Sequence, residues 1–130
     1  MFDTKLILKA AGLVAASANG TGIEVGEGKF NARMVVDVSA IEIADGDEKY
    51  VLHLVGGDDS SFTNSTSLGS IELGASTSGI EGNVDSEVGR FEIPVSNVKG
   101  GVIYPHVRLR TVVSGTIAAG INFSAYLSEV

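Results

Sequence analysis

An alternation of apolar and polar side chains with a period of two constrains this chain more than any other feature. Phe91, Ile93 and Val95 alternate with Arg90, Glu92 and Pro94, and Val107, Leu109, Thr111 and Val113 alternate with His106, Arg108, Arg110 and Val112. Ile117, Ala119, Ile121, Phe123, Ala125 and Leu127 alternate with small or polar residues. Successive side chains of a β-strand point to opposite faces, so the pattern describes strands with one face in a core and the other in solvent. Residues 22–25, 32–41, 49–56 and 67–73 have further strand character.

Turn chemistry separates these runs: Gly26-Glu27-Gly28, Asp45-Gly46-Asp47, Gly56-Gly57-Asp58-Asp59, Gly82-Asn83 and Lys99-Gly100-Gly101. About eight strands at this spacing predict an all-β sandwich or small barrel, and no helix of ordinary length is required. Ser114-Gly115-Thr116 reads as a tight connection, so the two strands around it are expected to form a hairpin.

Residues 1–18 are the exception. Phe2, Leu6, Ile7, Leu8, Leu13 and Val14 fit neither the strand nor the helix period. We read 1–18 as an N-terminal arm or first edge element, and 19–130 as the β-sandwich domain. As a first strand the segment would close its own core; as a strap it would cross to a neighbouring subunit, and the sequence leaves both open. Lys5 and Lys9, the apolar stretch 10–16 and Ala16-Ser17-Ala18 imitate a secretory leader. That stretch is short, alanine-rich and interrupted by Gly12, so the leader reading is set aside.

A chain of 130 residues can bury about two thirds of its unfolded surface in a single core. The absence of cysteine excludes a disulfide framework, a thiolate metal site and a cysteine nucleophile. Nine basic side chains against 16 acidic ones give a net charge of −7, which repels phosphate backbones. Nucleic acid is therefore not an expected partner, and neither is a membrane, since nothing approaches a span of ~20 apolar residues. Charged residues make up only 19% of the chain. A surface this poor in charge suits a protein that covers part of itself with a partner.

The chemistry-bearing residues do not assemble into a catalytic pattern. His53 and His106 fall on separate predicted strands without a second ligand at metal spacing. There is no Gly-x-Ser-x-Gly elbow, and Gly26-x-Gly28 opens a strand rather than a helix, leaving no helix N-terminus for a phosphate. Asp45, Asp47 and Glu48, with Asp58 and Asp59, could supply oxygen ligands to calcium, but acids in glycine-rich turns more often cap the turn backbone. The expectation is a non-enzymatic protein without a catalytic residue, metal site or cofactor.

Several segments carry a resemblance. They are the apolar arm from Phe2 to Leu8, the run Tyr50-Val51-Leu52-His53-Leu54-Val55-Gly56-Gly57 with Asp58-Asp59-Ser60-Ser61-Phe62, and Gly89-Arg90-Phe91-Glu92-Ile93-Pro94. The closing pair is Tyr104-Pro105-His106-Val107-Arg108-Leu109 and Val113-Ser114-Gly115-Thr116. Together they resemble the small jelly-roll cement, or decoration, proteins of tailed bacteriophages. Pro105 and His106 stand where that pattern often has a further aromatic.

The resemblance implies a jelly-roll β-sandwich of about eight antiparallel strands with an N-terminal arm. It also implies a virion location on the outer capsid surface, with the major capsid protein and a second or third copy of the chain (homodimer or homotrimer) as partners. Phe2, Leu6, Ile7 and Leu8 of the arm are then the expected binding residues, with Arg108 and Arg110 as secondary candidates. Those two arginines share one strand face and are suited either to acidic groups on the shell or to internal pairing and solvation. Two other readings remain: a carbohydrate-binding sandwich assisted by calcium at Asp45, Asp47, Asp58 and Asp59, and a tail or baseplate component.

Overall fold

The computed structural model describes residues 5–26, 28–75 and 87–129. The strands are β1 (Lys5–Val14), β2 (Ala18–Asn19), β3 (Ile23–Glu24), β4 (Asn31–Ile41), β5 (Lys49–Gly57) and β6 (Ser65–Gly74), followed by β7 (Gly89–Ser96), β8 (Val98–Lys99), β9 (Val102–Ile103), β10 (His106–Ser114) and β11 (Ile121–Glu129). One sheet has the order β1-β11-β4-β7; the other has β2-β10-β5-β6, with β3 pairing further along β10, and β8 and β9 form a small separate ribbon. Every pairing is antiparallel. The protein is an all-β sandwich.

The period-two pattern sets which face each sheet buries. Met34 and Val36 on β4, Tyr50, Leu52 and Leu54 on β5, Val107 and Leu109 on β10, and Phe123 and Leu127 on β11 point inward and join a single core with Leu8 of β1. A slip of one residue in any of these ladders would turn its apolar set outward, so the core fixes the register.

The expected hairpin around Ser114-Gly115-Thr116 does not form. β10 and β11 belong to different sheets, and residues 115–120 cross between them. The apolar residues Ile117 and Ala119, which continue the alternation of β11 in sequence, lie in this crossing. Carboxylates hold its backbone. The Asp47 side chain accepts the Thr116 N–H and hydroxyl at 3.0 and 2.8 Å, and the Glu42 side chain accepts the N–H groups of Ala118, Ala119 and Gly120. Gly115 has φ +94°, and a Cβ there would collide with the Asp47 carbonyl. The close approach requires glycine, which the sequence presents in the guise of a hairpin turn.

Residues 5–14 form the outer strand of the first sheet, so this described part of the segment is an edge element of the sandwich. Two register shifts interrupt the pairing of β1 with β11, between Ile7 and Lys9 and between Lys9 and Gly12. These irregularities are why the segment follows no single period. Lys9 turns back over the second, its ammonium donating to the carbonyls of Ala10, Gly12 and Phe123 at 2.9–3.0 Å. The same ammonium lies 4.5 Å from the centroid of the Phe123 ring. Partial burial lowers the Lys9 pKa from its ordinary value.

Candidate interaction surface

The outward face of the second sheet gathers the sequence's cationic candidates. β5 and β10 pair in register, so Val51 stands beside Val112, His53 beside Arg110 and Val55 beside Arg108. All six are half-buried. Cross-strand neighbours on one face lie close enough to interact directly, so the three rows make a small apolar surface with cations set into it.

At one end of this surface Arg108 covers an aromatic ring. Its guanidinium carbon sits 4.2 Å from the centroid of Phe62, a cation–π distance. Phe62 is buried and adopts φ +55°, an uncommon region for an aromatic residue. A Cβ on Gly22 or on Gly57 would collide with its ring, so both glycines make the floor on which the ring lies. His106 meets the ring edge-on at 6.4 Å between centroids. The Arg108 Nε atom is shielded from solvent and has no hydrogen-bond partner.

Arg110 donates to Asn19 Oδ1 at 3.0 Å. His53 contacts Ser67 through Nδ1 at 3.0 Å. Burial lowers the His53 pKa from 6.5, and the Arg110 charge adds to the effect. Among the described residues, the two remaining arginines are paired with carboxylates on the other sheet: Arg33 with Glu92 at 3.1 Å and Arg90 with Asp37 at 2.7 Å. Neither Arg108 nor Arg110 has a carboxylate partner among the described residues.

The arm candidates separate. Phe2 lies outside the described residues, and so does the side chain of Leu6, whose backbone pairs with Leu127. Ile7 is 59% exposed on the sheet edge, as is Leu13. Leu8 is 3% exposed and belongs to the chain's own core, which corrects the expectation that it meets a partner.

The loop acids cap backbone. Asp59 accepts the N–H groups of Ser61 and Thr63, and Asp58 those of the Asn64 backbone and amide side chain. Glu48, fully buried, accepts the N–H groups of Asp45 and Gly46 at 2.9 Å each. Carboxylate oxygens of Glu42, Asp45 and Glu48 lie within 4.8 Å of one another, but those of Glu42 and Glu48 are occupied by loop N–H groups. The pair Asp45 and Asp47 precedes β5 and the pair Asp58 and Asp59 follows it, so about 30 Å of extended strand separates them. The four aspartates proposed from the sequence for calcium therefore do not converge.

Sequence reasoning missed Phe62 as the platform under Arg108, because it sits in a polar loop, and missed Glu42 as a capping group. It also missed Asn97. That side chain is fully buried; it accepts the Phe30 N–H at 2.9 Å and donates to the carbonyls of Gly28 and Tyr104 at 2.9 and 3.3 Å. No family model matches the chain, and no curated protein matches it.

Proposed function

We propose that this chain is a jelly-roll cement protein that binds the outer surface of a tailed-phage capsid and strengthens contacts between capsomers without catalysis. The observation that carries the reading is the pairing of two resemblance-bearing segments. The run from Tyr50 to Phe62 and the run from Tyr104 to Thr116 are far apart in sequence, yet they lie side by side as β5 and β10, with Phe62 folded under Arg108.

The strand order agrees with it. Counting β2 with β3 as one position and leaving aside the β8–β9 ribbon, the sheets follow chain order as first-eighth-third-sixth and second-seventh-fourth-fifth. This order supports a reading as two Greek keys wrapped into a double-sheet roll. Exposed Ile7 and Leu13 on the edge strand offer apolar surface at a rim of the sandwich. A symmetric shell repeats each such contact many times, so a modest interface suffices for stable coating.

The test is cosedimentation of the purified protein with capsids of its source phage that lack it. Saturating recovery at a fixed ratio per capsid, with a rise in the temperature at which the shells open, is the expected result. Recovery no greater than that of an unrelated acidic protein would refute the reading.

A further inference from the structure

We propose that the outward face of the second sheet, centred on Arg108 and Arg110, is a docking surface for a protein partner that presents clustered carboxylates. The identification of that partner with the capsid shell rests on the cement reading; the chemistry of the surface does not.

Charge complementarity identifies the partner. In a chain of net charge −7, carboxylates are abundant enough to neutralise every arginine. The fold pairs Arg33 and Arg90 on one sheet and, among the described residues, leaves Arg108 and Arg110 on the other without an ion-paired acid. Two described carboxylates share this face: Glu72, beside Val51, is turned to Lys49 at 3.6 Å, and Glu24 stands at its end beside His106, with neither paired to Arg108 or Arg110 among the described residues. Lys99 adds a further cation by donating to the Ser67 carbonyl at 2.9 Å, next to His53.

These guanidinium groups are also held in place. Arg108 is stacked on a ring that two glycines seat, and Arg110 is tied to Asn19. A guanidinium fixed by stacking loses less freedom when its remaining N–H donors meet a carboxylate, and its planar fork matches that group in two-point contact. Val51, Val55 and Val112 supply apolar area that a partner can cover around the ion pairs. Opposed charges at such a contact steer encounter and fix orientation. A phosphate backbone is the less favoured anion, because the chain's overall charge repels it.

The experiment compares the wild-type chain with R108Q/R110Q and with R33Q, each first checked for an unchanged melting curve. Binding to capsids lacking the protein is measured across salt concentrations. The double variant is expected to bind on the order of a hundredfold more weakly, about tenfold per arginine, and with a shallower salt dependence; R33Q is expected to bind as wild type does. Equal binding by the double variant would overturn the docking face and leave the cement reading standing.

If the wild-type chain does not bind shells, the cement reading fails and a second arm decides the face. Isotope-labelled protein is titrated with an octaglutamate peptide and, separately, with a short DNA duplex, following backbone and arginine Nε resonances. Peptide-induced shifts confined to His53, Arg108, Arg110 and their neighbours sustain the proposal. Scattered shifts, no shifts, or an equal response to the duplex overturn it.

Discussion

Asn97 accepts the Phe30 backbone N–H at 2.9 Å while having no exposed surface, so one side chain ties the bend that leaves β7 to the entry of β4. Its amide donates to Gly28 and Tyr104 as well. Asn97→Leu would remove the acceptor for the buried Phe30 N–H and the donor for two part-buried carbonyls, at a cost of about 1–3 kcal/mol. Asn97→Asp keeps an acceptor for Phe30 but turns a negative charge toward two carbonyls. Its loss of stability is expected to shrink as pH falls and the carboxyl protonates. Urea melts of both variants across pH test this; a leucine variant as stable as wild type would show that the three bonds contribute nothing.

The Glu42 carboxylate supports the crossing between the sheets from outside the core. Hydrogen bonds from Ala119 and Gly120, and then from Ala118, lower its pKa below the ordinary 4.5. A carboxylate whose pKa is lowered on folding stabilises the protein above the unfolded value, and that contribution is lost as pH falls through the folded value. Glu42→Gln is therefore expected to lower the melting temperature at neutral pH and to flatten the acid limb of the stability profile below about pH 4.5. Parallel acid limbs in the two proteins would contradict it.

The strands β5, β7, β10 and β11 were legible because each turns one face inward and the other outward, and period two reports that directly. The order of strands was not legible, for a local reason: Gly115 and Gly120 look alike in sequence whether they turn a hairpin or let the chain pass close to the backbone of Asp47 and Val14. β1 was obscured by its own bulges, since two register shifts against β11, between Ile7 and Lys9 and between Lys9 and Gly12, interrupt its alternation. Of the candidate surface, Arg108 and Arg110 were visible as outward residues on one strand. Phe62 was not, since its place under Arg108 depends on a loop returning across Gly57 and Gly22.

That loop gives a sharp packing test. A Cβ on Gly57 would press on the face of a ring that is only 6% exposed. Gly57→Ala is expected to cost about 1–3 kcal/mol through forced displacement of Phe62. Phe62→Ala removes the obstacle, so the double variant should be destabilised by less than the two single losses added together. Strict additivity in a double-mutant cycle would mean that the alanine methyl is accommodated without moving the ring.

His53 is the group on the docking face whose protonation should register in stability. Burial beside Ser67 and the charge of Arg110 across the ladder both disfavour its cationic form, so its folded pKa lies below the ordinary 6.5. Above 6.5 the side chain is neutral in both the folded and unfolded chains and imposes no penalty. As pH falls below that value the unfolded chain takes up the proton first, and stability declines until the folded pKa is passed. His53→Gln keeps a hydrogen-bonding group opposite Ser67 but does not titrate. The variant should lose the slope that wild type shows just below pH 6.5 while keeping the steeper loss at lower pH that the carboxylates cause. Arg110→Gln should leave the onset of the His53 slope in place but reduce the total stability lost below it, because one of the two causes of the depressed pKa is removed. Chemical denaturation at closely spaced pH values measures both effects, and an unchanged slope in His53→Gln would assign the wild-type decline to other groups.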